Sequence, residues 1–365
     1  MQRDAGSLDR TAEEVASAVQ LREGREGVWA VLSTVARLAP VAVREISRAT
    51  GLPVPVVAAI CGELRGHGVL DGTRPARLSD WAAELPALRP LPASLDLEEI
   101  AAELTEIAAT APSVDLAIDQ SHCTVETKVR RALYLLRETS LSRSSLLLLG
   151  DDDLTSIAVA LVAQRYGVAA NVTVLDVDER VVEFIEQHAP EADCRVHDLR
   201  EPLPDDLRGA FGVVMTDPPY TVEGAALFLA RAVSALRESG EVLLCFGPKD
   251  HADSLELYRR MVSMGLYPRA LHRNFSEYLG AGVLGGVSHL HHLVAVAAAG
   301  ERPEQAYVDG PIYTGAPARD YECTRCGALR RVGRGARFRS VAELKANGCG
   351  DGCESTSFRP RSRTR

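Results

Sequence analysis

The chain has no apolar stretch approaching the ~18 residues of a membrane-spanning helix. Its densest runs, 146–149 and 293–299, are far shorter. Its first residues, Met1-Gln2-Arg3-Asp4, have none of the apolar core of a secretory signal. A cytoplasmic location without membrane contact is therefore the expectation. Positive charge is also in short supply, with 41 Lys and Arg against 50 Asp and Glu, for a net charge of −9 over 365 residues. That balance argues against a nucleic-acid partner and suits cationic ligands. The basic residues that exist are unevenly placed: from Leu329 onward there are ten against three acids. Glycine is missing where a dinucleotide site needs it, because the first apolar run of the second half ends Gly150-Asp151-Asp152-Asp153. A pyrophosphate requires G-x-G-x-x-G there, so NAD and FAD are excluded from this loop.

What is present is an ordinary globular balance, 46% hydrophobic and 25% charged, with length for two or three domains. Residues 1–26 are polar and read as a frayed tail or exposed helix. Residues 27–81 read as three helices and a hairpin, a winged-helix-like pattern. The third helix, 53–66, opens on prolines and carries only Arg65 and His67 near its end, a poor surface for DNA bases. A domain that packs, shapes a pocket or dimerises into a homodimer is the plainer reading. Residues 82–114 read as a linker with one helix. From 144 onward apolar runs alternate with helical stretches through about residue 246, which predicts an α/β domain (115–300) on a parallel, doubly wound, Rossmann-like sheet. Such sheets bind ligands beyond the C-terminal ends of their strands.

Those strand ends are acidic. The first gives Gly150 and the three aspartates, the second Asp176-Val-Asp178, the third His197-Asp198, the fourth Asp217-Pro218-Pro219-Tyr220. Asp176 is placed to accept from ribose hydroxyls and Asp198 from an adenine amine. Asp178 stands beside them as a further contact or as a helix cap, and Asp153 reads equally as cap or catalytic acid. A nucleoside without phosphates, carrying a sulfonium, fits these ends. Three aspartates at the first loop disfavour a donor carboxylate, which points to decarboxylated S-adenosylmethionine rather than the intact form. Asp217-Pro-Pro-Tyr220 resembles the (Asn/Asp)-Pro-Pro-Tyr motif of methyltransferases that alkylate exocyclic amines. Its acid accepts a hydrogen bond from the attacking nitrogen, its prolines stiffen the turn, and its ring faces the nitrogen or developing cation.

Together these residues resemble the branched-chain polyamine synthase family. The resemblance rests on Asp119-Gln120, Gly150-Asp-Asp-Asp-Leu-Thr-Ser-Ile157 and Asp176-Val-Asp-Glu-Arg180. It continues through Asp198-Leu-Arg-Glu-Pro-Leu-Pro204, Thr216-Asp-Pro-Pro219 and Arg273-Asn-Phe-Ser-Glu-Tyr278, in that order over roughly 115–280. It implies a class I methyltransferase-type fold behind a winged-helix-like domain. It implies aminopropyl transfer from decarboxylated S-adenosylmethionine to spermidine or a related polyamine. It implies catalytic roles for Asp151, Asp152, Asp153 and Asp217, to which the motif adds Tyr220. By position, Glu277 and Tyr278 would line the acceptor site. The alternative is an S-adenosylmethionine-dependent amino-methyltransferase acting on nucleic acid. A third reading is a regulator with an inactive enzyme domain.

Of eight cysteines, four cluster near the C-terminus as Cys323-x-x-Cys326 and Cys349-x-x-x-Cys353. Two such pairs in a chain without a secretory signal fit a four-thiolate zinc site of zinc-ribbon type over 318–356. Four thiolates leave no open position, so the zinc would be structural. The basic stretch 357–365 reads as disordered.

Overall fold

The computed structural model describes residues 5–72, 74–92, 94–247, 249–279, 286–296, 312–314, 319–332, 336–338, 341–350 and 352–361. Two compact units emerge, one built mainly from residues up to 96 and one from most of the remainder.

The first unit is helical. It contains α1 (Ala5–Ala18), α2 (Gly24–Leu38), α3 (Val43–Thr50), α4 (Val54–Gly66) and the single turn α5 (Asp80–Ala83). Leu8, Ala12 and Val15 recur at helical spacing and are fully buried against Trp29, Leu32 and Ile60. The segment expected as a frayed tail or an exposed helix is therefore a helix whose apolar face is buried in this core from Leu8 onward; residues 1–4 lie outside the described ones. Gly51 ends α3 in the left-handed conformation (φ 76°). The strand expected near 68–72 is reduced to a bridge, Leu70 to Leu78, beside a second bridge, Val41 to Ala76.

The second unit carries α6 (Glu98–Ala109), the first part of α7 (Val125–Glu138), β1 (Ser145–Leu149), α8 (Thr155–Tyr166), β2 (Asn171–Asp176), α9 (Glu179–His188), β3 (Asp193–Val196), β4 (Phe211–Thr216), α10 (Val222–Ala235), β5 (Leu236–Phe246), α11 (His251–Ser263), β6 (Leu266–Glu277) and β7 (Val287–Ala295). Seven strands form one sheet in the order β3-β2-β1-β4-β5-β7-β6. β1 through β5 are parallel, and near-continuous apolar runs such as Leu146–Leu149 suit strands buried on both faces. β7 is antiparallel to both β5 and β6. The expected all-parallel sheet is thus a mixed one. The chain order reverses between β1 and β4, which opens a crevice above the strand ends.

A separate three-stranded sheet, β10-β8-β9, is formed by β8 (Arg319–Cys323), β9 (Leu329–Val332) and β10 (Phe358–Pro360), with α12 (Val341–Asn347) alongside. Its core is small: Tyr321, Val332, Phe338 and Leu344. The expectation of disorder after 356 gives way to β10; residues 362–365 lie outside the described ones, as do Arg334 and Arg339 among the basic residues after Leu329. No helix among the described residues is long and apolar enough to cross a membrane.

Candidate active site

The crevice holds two adjoining cavities, about 540 Å³ and 340 Å³. The larger is walled by Gly150, Asp176, Asp198, Phe228, Ile312 and Tyr313. The smaller is walled by Ser121, Asp153, Pro218, Tyr220 and Tyr278. Three carboxylates, Asp119, Asp152 and Asp217, border both. They mark the junction where a group passing from one cavity to the other would travel.

The three aspartates after β1 do three different jobs. Gly150 turns the chain with φ 74° and donates its N–H to the Leu175 carbonyl at 2.8 Å. Asp151 then caps α8, accepting from the N–H of Thr155 (2.7 Å) and Ser156 (3.0 Å). It lies behind the cavities rather than in them, so capping belongs to Asp151 and not to Asp153. Burial pushes its carboxyl up to about 7. Asp152 accepts from Ser121 N–H at 3.0 Å and faces the junction. Burial, then Asp153, Asp176 and Asp217, push it well above the usual carboxylate range. Asp153 accepts from Arg131 Nη1 at 2.6 Å and from Cys123 N–H, while Lys128 Nζ donates to its carbonyl. Burial pushes Asp153 up, but Arg131 and Lys128 outweigh it and hold it down at about 2. The loop therefore carries less negative charge than a count of three aspartates implies. The repulsion of a donor carboxylate is weakened accordingly.

Asp176, at the end of β2, accepts one backbone N–H on each oxygen, from Asp151 (2.9 Å) and Asp178 (2.8 Å). Asp178 caps α9 through Arg180 N–H, pairs with the Arg180 guanidinium and accepts from Gln120 Nε2. It borders neither cavity, so its expected ligand contact gives way to support of the wall. Asp198 borders the larger cavity and is held by Arg200, whose hydrogen bonds keep its carboxyl below the usual range.

Asp217 follows β4. Its Oδ2 accepts from Arg131 Nη2 at 2.6 Å and from the Tyr278 hydroxyl. Its Oδ1 has no partner among the described residues. Burial pushes Asp217 up to about 7 against the opposing pull of Arg131. The Tyr278 hydroxyl also meets Ser288 Oγ at 2.8 Å and receives Arg131 Nη2 at 3.0 Å. Tyr220 is pinned by its N–H on Asp119 Oδ2 (3.2 Å) and its hydroxyl on the Val287 carbonyl (3.3 Å), with Lys249 Nζ 4.7 Å from its ring centroid. Glu277 is not brought in. It is exposed, while its neighbours Ser276 and Tyr278 are buried. Glu277 ends β6 and borders neither cavity, whereas Tyr278 borders the smaller one.

Several site residues carried no legible signal. Arg131 and Lys128 sit on the buried face of α7; the available clue was a helix placing Thr127, Lys128 and Arg131 on one stripe with Thr124. Asp119 accepts from Thr314 N–H (2.8 Å) and Thr314 Oγ1 (2.6 Å), and Thr221 Oγ1 donates to the Ile312 carbonyl at 2.6 Å. Residues 312–314 thus belong to the site, although the catalytic domain was read as ending at 300.

In the small C-terminal sheet the four cysteine sulfurs lie within 4.8 Å of one another, with Cys323–Cys353 at 3.9 Å and Cys326–Cys349 at 3.5 Å. Zn–S bonds of about 2.3 Å in a tetrahedron separate sulfurs by about 3.8 Å. The donor set and its spacing both fit that ion.

Residues 99–314 match the family model for the branched-chain polyamine synthase A C-terminal domain. The chain is 32% identical over 345 residues to an uncharacterized protein of Methanocaldococcus jannaschii, covering 87% of this chain and 86% of that one. It is 34% identical over 197 residues to the N(4)-bis(aminopropyl)spermidine synthase of Thermococcus kodakarensis, covering 50% of this chain and 54% of that one, about half the length of each. The crystal structure of the branched-chain polyamine synthase of Thermus thermophilus, in complex with N4-aminopropylspermidine and 5′-methylthioadenosine, is similar with a TM-score of 0.54 and 27% identity. It covers 85% of this chain and 98% of that one.

Proposed function

The chain belongs to the branched-chain polyamine synthase family, and on that basis we propose that it is an aminopropyltransferase. In this reading it moves the aminopropyl group of decarboxylated S-adenosylmethionine onto an amine of spermidine or a related polyamine. The observation that carries the reading is the acidic junction: Asp152 and Asp217 border both cavities, and Asp217 Oδ1 has no partner among the described residues. The N4-aminopropylspermidine and 5′-methylthioadenosine bound in the Thermus thermophilus structure support it.

The donor nucleoside occupies the larger cavity, with its ribose on Asp176 and its adenine near Asp198, Ile312 and Tyr313. Its cationic aminopropyl arm reaches the junction toward Asp152. The acceptor occupies the smaller cavity, where carboxylates and the rings of Tyr220 and Tyr278 suit ammonium groups. Pro218 fixes the turn that aims Asp217. The acceptor nitrogen loses its proton to Asp217 Oδ1. Its lone pair then attacks the sulfonium-bound carbon. The C–S bond breaks with its electrons on sulfur, releasing neutral 5′-methylthioadenosine. Asp153, locked to Arg131, serves as scaffold rather than proton acceptor, and Asp151 holds the loop to α8.

The four cysteines in this reading hold a structural zinc in a zinc-ribbon-like module spanning 318–356, and the first unit is winged-helix-like. The catalytic region runs from about 115 to 314. Calorimetric titration with intact and decarboxylated S-adenosylmethionine at matched ionic strength tests the donor. Tighter binding of the decarboxylated form, with aminopropylated polyamine found by mass spectrometry, is expected. Tighter binding of the intact form would move methyl transfer to an amine into first place.

A further inference from the structure

Arg131 is almost wholly buried, 2% exposed, and every nitrogen of its guanidinium is engaged. Nη1 donates to Asp153 Oδ2 at 2.6 Å. Nη2 donates to Asp217 Oδ2 at 2.6 Å, to Ser276 Oγ and Tyr278 OH at 3.0 Å each, and Nε donates to Ser276 Oγ at 3.2 Å. The planar fork thus bridges two carboxylates that would otherwise repel each other. It reaches both from the protein side. On Asp217 it shares Oδ2 with the Tyr278 hydroxyl, which leaves Oδ1 without a partner among the described residues on a side chain that borders both cavities.

We infer that Arg131 is the positioning residue of Asp217: it occupies Oδ2 and leaves Oδ1 as the oxygen that takes the acceptor's proton. The inference rests on the aminopropyl-transfer reading for its chemistry. Its geometric part stands independently. A single ammonium cannot replace the fork, because it cannot address Asp153, Asp217 and Ser276 together. Other groups also act on Asp217: Asp152 and Asp153 from the loop after β1, Lys128 through Asp153 from α7, Cys245 from β5, Tyr220 beside it, and Tyr278 with Ser288 across from it. Among the cations, only Arg131 touches the Asp217 carboxylate in the described structure. Its charge opposes the upward push of burial.

The test uses the full chain labelled with carboxyl-13C aspartate. The Asp217 resonance is assigned by its loss in Asp217→Asn and followed with pH by NMR, alongside the pH profile of kcat/KM. In Arg131→Gln the Asp217 midpoint is expected to rise by about one pH unit or more. In Tyr278→Phe it should rise less, in the same direction. In Arg131→Lys the midpoint should stay nearer to wild type while kcat falls about tenfold or more, with 5′-methylthioadenosine affinity retained. An Asp217 midpoint unmoved in Arg131→Gln would overturn the inference. Should Arg131→Gln fail to fold, Arg131→Lys decides: an unchanged kcat there would overturn it. Wild-type protein that alkylates no amine would refute the activity reading, while the NMR titration would still decide the role of Arg131.

Discussion

At the scale of single residues, the site is a cluster of carboxylates whose environments push them apart. Asp153 is held ionised, while Asp151 and Asp217 titrate near neutrality. A polyammonium ligand favours the ionised forms, so its binding should expel protons. Calorimetric titration of spermidine near pH 7 in buffers of different ionisation enthalpy should show net proton release; buffer-independent enthalpy would contradict it. Asp217→Asn should lower kcat by about 100-fold or more while 5′-methylthioadenosine binding is retained, because it removes the proposed proton acceptor. The sign for pH follows: a base raised to about 7 is idle below that value, so kcat/KM should climb as pH rises through 7. Asp152, Asp176 and Asp217 were legible because each lies at the end of an apolar strand run. Arg131 was not, because a buried cation is recognised only by the partners that surround it. Glu277 was read from its place beside Tyr278 in the sequence, and it ends β6 as an exposed residue while Tyr278 is buried.

At the scale of elements, the parallel strands β1–β5 were readable from apolar runs spaced by helices. The antiparallel pair was not: β7 carries His289, His291 and His292 between its apolar positions, which breaks the apolar signal. α1 was underestimated because its buried positions, Leu8, Ala12, Val15 and Ala16, are spread among polar and charged residues. Two elements carry predictions. Asp151 holds two N–H groups of α8, so Asp151→Ala should cost about 1–2 kcal/mol in denaturant unfolding. Gly247 follows β5, and a Cβ there would lie 2.1 Å from the Tyr220 hydroxyl oxygen. Gly247→Ala should therefore displace Tyr220 and raise the acceptor KM more than it disturbs 5′-methylthioadenosine binding; an unaltered acceptor KM would show that the ring's place is immaterial.

At the scale of the whole molecule, the C-terminal module has too small an apolar core to hold itself without a cross-link. One zinc per chain is expected by elemental analysis. Its removal by chelator should open residues 319–361 to proteolysis; a metal-free protein with an equally resistant module would refute the zinc assignment. The central unit is closed by contacts of extreme span. Asp119 meets Thr314 across 195 residues, and Ile312 and Tyr313 complete the wall of the larger cavity. During synthesis that wall is the last part of the site to leave the ribosome. A nascent chain can form its parallel strands early, yet on the proposed reading the nucleoside wall is complete only once residue 314 has emerged and folded back. Premature or truncated products should therefore be not merely slow enzymes but empty ones, unable to sequester the donor from intact copies.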